Sequence, residues 1–97
     1  MKTLSEMIQS DKPVLVDFSA EWCGPCKMMS PILKDLKKDV KEDVTILKVD
    51  IDKNPQAAQL YNVQSVPTLI IFQKGIVKWR QSGVIGIREL QQVLNQL

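Results

Sequence analysis

The sequence predicts a single α/β domain over residues 1–97, built on a mixed sheet of about four strands with helices on both faces. Two observations carry most of this. Runs of strand type alternate with segments of helical period through the first two thirds of the chain, which places parallel strands side by side with helices crossing between them. The last third instead holds two strand runs separated by a short turn, and so adds an antiparallel hairpin. A third observation bounds the size: ninety-seven residues bury one core but not two.

In chain order, Thr3 and Glu6 form a capping-box pattern ahead of Leu4, Met7 and Ile8, predicting a short first helix. Val14 to Phe18 is an apolar run broken only by Asp17, the pattern of a strand buried on both faces. From Cys26 to about Val40, the residues Met29, Ile32, Leu33, Leu36 and Val40 recur at helical spacing, with Pro31 predicting a kink. Val44 to Val49 reads as the next strand. Asn54 followed by Pro55 is a cap and a first-turn proline, opening a short helix through Leu60. Thr68 to Phe72 and Ile76 to Arg80 flank Gln73-Lys74-Gly75 as a hairpin, and Leu90, Val93, Leu94 and Leu97 mark a closing helix. There are no internal repeats, low-complexity segments or linkers.

Charge and hydropathy narrow the function. Thirteen basic against eleven acidic residues leave +2, too little for a nucleic-acid surface. In Lys34-Asp35-Leu36-Lys37-Lys38-Asp39 the charges alternate, as on a solvated helix face. No apolar run approaches the ~18 residues of a membrane span, and Met1 to Glu6 lack the apolar core of a signal peptide. The expected compartment is the cytoplasm, where a lone CxxC pair cycles rather than staying oxidised.

The chemistry lies in Trp22-Cys23-Gly24-Pro25-Cys26-Lys27, at the passage from strand to helix. These are the only two cysteines, and there is no histidine. A structural zinc site needs four Cys or His ligands, so no metal is expected. A protease-type cysteine needs a histidine base. A disulfide closing so short a loop would add only about 2 kcal/mol of stability, a weak reason to keep one. Thiol–disulfide exchange is the reading left. A helix starting near Cys26 would hold the Cys23 sulfur beyond its N-terminus, where unpaired N–H groups and the positive end of the dipole favour thiolate, the nucleophilic form. Pro25 suits the first turn and withholds one donor, while Gly24 lets a partner backbone approach.

Together with its surroundings, this run resembles the active site of the thioredoxin family. Asp17 stands six residues before Cys23, where the family carries a buried carboxylate. Lys48, in Leu47-Lys48-Val49-Asp50, matches a lysine near that carboxylate. Val66-Pro67-Thr68 matches a loop whose proline is cis and faces the disulfide, and Gly83 matches a glycine lining the same groove. The resemblance runs from about Pro13 to Leu97. It implies that Cys23 is the nucleophile, Cys26 the resolving thiol and Asp17 the proton acceptor tuned by Lys48. It implies further that Trp22, Gly24, Pro25, Val66, Pro67 and Gly83 bind substrate.

The function so implied is reduction of disulfides in client proteins by a monomer that binds no cofactor. Electrons would come from NADPH through a thioredoxin reductase. An oxidase or isomerase of the same fold, or a non-catalytic binding subunit, are the alternatives. Trp79 and Tyr61 read as packing residues, and Met28 and Met29 as helix core or rim. Two departures from the family carry expectations. Ser19 stands where many members have tryptophan, so Asp52 should lack that indole as a partner under a more open lid. Only twelve residues precede Pro13, too few for the family's extra edge strand and longer first helix, so the Val44 to Val49 strand should border the sheet.

Overall fold

The computed structural model describes residues 2–97. Its elements follow the expected order with small shifts at their ends: α1 Leu4–Met7, β1 Val14–Ser19, α2 Gly24–Val40, β2 Thr45–Asp50, α3 Pro55–Leu60, β3 Thr68–Gln73, β4 Ile76–Ser82 and α4 Ile87–Asn95, with a 3-10 turn at Lys41–Asp43. The capping box of α1 is complete: Thr3 Oγ1 accepts the Glu6 N–H, and the Glu6 carboxylate accepts the Thr3 N–H. The longest helix, α2, starts two residues before Cys26, because Cys23 caps it and Pro25 occupies its first turn. It runs as one helix through Pro31. Asn54 occupies the cap position of α3 but makes no side-chain cap. Its amide instead donates to the Asp50 carbonyl at 3.0 Å, tying the loop back to the end of β2.

Four strands form one mixed sheet in the order β2-β1-β3-β4. β1 pairs parallel with β2 and antiparallel with β3, while β3 and β4 make the antiparallel hairpin. Every residue of β1 is buried. Its side chains alternate between two apolar layers, as the pleat requires. Val14, Val16 and Phe18 join Ile8, Ile70 and Phe72 on one face, with Tyr61 of the α3 end packed against them. Leu15 joins Met29, Leu33, Leu36, Leu69, Ile71 and Leu90 on the other, under α2 and α4. Tyr61 sits 5.2 Å from the Phe72 ring in an edge arrangement, and Trp79 packs against the α2–α4 layer, so both are the packing residues expected. Of the neighbouring Met28 and Met29, Met29 is core and Met28 is exposed.

The segment after α1 docks in a way that no local pattern foretold. Gly75 and Lys74 donate backbone N–H groups to the Ile8 and Ser10 carbonyls, each at 2.9 Å, and Gln73 Nε2 donates to the Asp11 carbonyl. This fastens residues 8–11 to the β3–β4 turn. Gly75 has φ +79°, and a Cβ there would stand 2.7 Å from the Gln9 side-chain amide. No larger residue fits that turn without moving Gln9. Among the described residues no helix is long and apolar enough to cross a membrane.

As expected, β2 has one strand neighbour, β1, among the described residues. In a parallel pair alternate amides of an edge strand point away from the neighbour and meet no ladder acceptor. Amide hydrogen exchange along 45–50 should therefore alternate between fast and slow, whereas 14–19, paired on both sides, should be slow throughout. Uniformly slow exchange along β2 would mean that its outer edge is covered in solution.

Candidate active site

The buried strand β1 runs directly toward the site. After Ser19 the chain turns through Ala20 to Trp22 and enters α2, with the Cys23 N–H donating to the Ala20 carbonyl at 3.2 Å. Cys23 is the cap of α2, in extended backbone at φ −93°, ψ 112°, and its Sγ accepts the Cys26 N–H at 3.1 Å. The sulfur thus takes the place that a serine or aspartate oxygen takes at an ordinary helix start. It meets a backbone N–H and the positive end of a seventeen-residue helix. Cys23 and Cys26 form a disulfide.

Both sulfur residues are nearly covered in this oxidised form: Cys23 is 4% exposed and Cys26 1%. Cys23 is marginally the more accessible of the two, and Ala20, Ile51 and Val66 pack around the pair. The Val66 carbonyl oxygen lies 3.6 Å from Cys23 Sγ. The Val66–Pro67 peptide is cis, as the resemblance implied. Its loop is pinned from beneath: Thr68 Oγ1 donates to the Ser65 carbonyl at 2.7 Å and shares a hydrogen bond with Ser82. Gly83, at φ +93°, donates its N–H to the Pro67 carbonyl at 2.9 Å, which brings the end of β4 to the same rim. At Gly24 an added Cβ would meet nothing within 4 Å, so the space beside the disulfide is open on that side.

Trp22 stands at the lip with 69% of its surface exposed, and its indole Nε1 donates to Asp52 Oδ2 at 2.8 Å. This corrects the expectation for Asp52. With serine at position 19 that carboxylate loses one indole, but Trp22 supplies another. Asp50 Oδ1 accepts the N–H groups of Asp52 and Lys53 and fixes the loop that presents Asp52. The lip is therefore held by a charge-assisted hydrogen bond. Ser19 itself is buried, and a cleft of roughly 430 Å³ lined by Ser19, Cys26, Lys48 and Asp50 opens beside it.

Asp17, on β1, has none of its surface exposed, and neither carboxylate oxygen has a hydrogen-bond partner. Burial pushes its carboxyl from the ordinary 3.8 up to about 6, while the Lys48 ammonium pulls partly the other way. Lys48 is the direct register partner of Asp17 across β1 and β2, which places it where the sequence reading expected. Its Nζ, however, donates to Ser30 Oγ on α2 at 3.1 Å rather than to the carboxylate. Sequence reasoning missed Ser30 and the Trp22–Asp52 bond. The first could have been found from helical spacing, since Ser30 is four residues beyond Cys26 and shares its side of α2. The second depends on a loop conformation that no local pattern encodes.

A strand-to-helix passage carrying a Cys-Gly-Pro-Cys disulfide against a cis-proline loop, over a buried carboxylate, is the frame of the family named by the resemblance. Comparison with known proteins agrees. The family model described as Thioredoxin matches residues 2–96. The Thioredoxin of Rickettsia typhi is 41% identical over 92 residues, covering 95% of this chain and 88% of its own. Thioredoxin 1 of Chlorobaculum tepidum is also 41% identical over 92 residues, covering 94% and 91%. The Thioredoxin of Mycobacterium tuberculosis is 43% identical over 97 residues, covering 96% and 84%. With its paired cysteines joined at the start of α2, the chain belongs to the thioredoxin family and is a thiol–disulfide oxidoreductase.

Proposed function

We propose that this oxidoreductase works as a reductant of disulfides in client proteins. The observation that carries the reading is the unequal placement of the two sulfurs. Cys23 Sγ accepts a backbone N–H at a helix start beside the open space at Gly24, whereas Cys26 lies within the first turn; both are nearly covered, Cys23 slightly less. A client segment rests in the groove of Trp22, Gly24, Pro25, Val66, Pro67 and Gly83. Cys23 thiolate attacks one client sulfur, the client S–S bond breaks, and the departing client thiolate takes up a proton. Cys26 then gives its proton to Asp17, through a water, and attacks Cys23 Sγ. The mixed disulfide breaks, the second client thiolate leaves, and the Cys23–Cys26 bond closes. Two electrons have passed from the dithiol to the client.

Lys48 tunes Asp17 from its register position. Restoring the dithiol takes two electrons from outside, and on this reading they come from NADPH through a thioredoxin reductase, with no cofactor held by this chain. Such a cycle suits the cytoplasm, where thiols are kept reduced, and a monomer whose groove is free for clients.

Reduction of insulin disulfides tests the direction of the reaction. The protein with a reductase and NADPH should turn over many equivalents of insulin, and Cys23→Ser should abolish this. A Cys26→Ser variant should instead accumulate long-lived mixed disulfides. If Cys23→Ser is the variant that traps clients, the order of attack is reversed.

Asp17 joins stability to this mechanism. Its folded pKa of about 6 lies above the ordinary 3.8. The group therefore opposes folding once pH rises above the unfolded value, and the full penalty is present above pH 6. At neutral pH that penalty is about 3 kcal/mol. Asp17→Asn removes the charge at nearly constant shape. Denaturant unfolding should find it more stable at pH 7 by up to about 3 kcal/mol and little changed near pH 3. The same variant should resolve mixed disulfides more slowly. A variant destabilised at pH 7, or one resolving at the parent rate, argues against a buried base.

A further inference from the structure

Asp17 and Lys48 face each other across neighbouring strands, in direct register. Adjacent strands lie about 4.8 Å apart, close enough for an extended lysine and a carboxylate to meet. They do not. Both Asp17 oxygens lack hydrogen-bond partners, and the Lys48 ammonium is turned to the Ser30 hydroxyl on α2, 3.1 Å away. The lysine also borders two clefts. One is the cleft lined by Ser19 and Cys26, and the other, of roughly 400 Å³, is lined by Asp17, Ser30 and Leu33. Its side chain thus lies between the approach to the thiol and the approach to the carboxyl. Helix preference does not account for serine at position 30, since alanine is the better helix former.

We propose that Ser30 is a positioning residue for the resolving step: its hydroxyl holds the Lys48 ammonium away from Asp17 and so prevents an ion pair that would weaken the carboxylate as a base. The proposal rests on the reading of Asp17 as the proton acceptor. A carboxylate closed against an ammonium is held ionised at lower pH and becomes a poorer base. Left unpaired in an apolar setting, it keeps the raised pKa of about 6. Other groups around Asp17 do not substitute for Lys48. From α2, Lys34 and Lys37 border the same cleft, but the Lys37 ammonium donates to the Lys41 and Val44 carbonyls. Lys34 is exposed, and Cys26 is the neighbouring thiol on that helix. From β3 the register partner is Leu69, and α4 covers this face with Leu90, so neither contributes a charge.

The test is Ser30→Ala, with the Asp17 carboxyl followed by carbon-13 NMR across pH. Freed from its acceptor, Lys48 should pair with Asp17 and lower the titration midpoint by roughly half a unit to one unit. The pH midpoint of mixed-disulfide resolution should fall with it. Ser30→Thr, which restores the hydroxyl, should return both midpoints to the parent values. In a Lys48→Met background, Ser30→Ala should move neither. An unchanged Asp17 midpoint, or a shift of the same size without Lys48, overturns the proposal. A midpoint that falls while resolution does not follow upholds the hold of Ser30 on Lys48 and overturns the reading of Asp17 as the acceptor.

Discussion

Burial of β1 on both faces is the constraint on which the other features depend. Six consecutive covered residues require a hydrogen-bonded neighbour on each side and an apolar layer above and below. Those layers come from α2 and α4 on one face and from α1, α3 and their flanking loops on the other. Because side chains alternate, placing Val16 and Phe18 in one layer commits Asp17 and Ser19 to the layer beneath α2. The same strand that aims the chain at Cys23 therefore also carries a carboxylate into the interior. Each fully buried apolar side chain on the strand contributes roughly 1.5–3 kcal/mol, so the strand as a whole outweighs the penalty of about 3 kcal/mol that Asp17 imposes.

That excess explains how an unpartnered carboxylate can persist. A buried polar group without a hydrogen bond is among the costlier features of a fold, and ordinary packing would replace it with an apolar residue. Val14 or Leu15 chemistry would serve the sheet as well at position 17. Such a penalty at one position, on the strand that leads to the disulfide, is the pattern expected where burial adjusts a titrating group toward neutrality. Protonation state, and not pairing, is then the variable that the local structure controls.

The legibility of this protein in its sequence follows the range of the interactions. Periodicity located all eight helices and strands to within two or three residues, because each has an apolar face that packs, and the period of that face is written locally. The capping box at Thr3 and Glu6 and the motif from Trp22 to Lys27 were equally local. What escaped was side-chain partnership across the fold. Asn54 looked like a cap and instead bonds Asp50, since the loop geometry brings a carbonyl closer than the helix start. Asp52 was expected to lack an indole from position 19 and takes one from Trp22 instead. Residues 8–11 carry no strand pattern, yet their carbonyls accept from the β3–β4 turn. Nor did the local motif show how closely Cys23 is covered in the disulfide form. Its covering comes from Val66, some forty residues away.

On the proposed cycle, the two cysteines share one bond but sit in different settings, and that difference sets the order of the two steps. Cys23 Sγ accepts the Cys26 N–H in the disulfide form, and a thiolate left there by reduction would meet the same donor. Among the described residues no such donor meets Cys26 Sγ, and Cys26 is 1% exposed. Negative charge is thus favoured on Cys23 while the dithiol waits for a client. Once Cys23 is tied up in a mixed disulfide, only Cys26 can attack, and it can do so only as its proton leaves. A base that is always ionised through pairing would have little affinity for that proton. One that titrates near pH 6 in the interior can accept it and later release it to water. The unpaired state of Asp17 and the covered state of Cys26 are therefore two parts of one arrangement, in which the second step waits for the first.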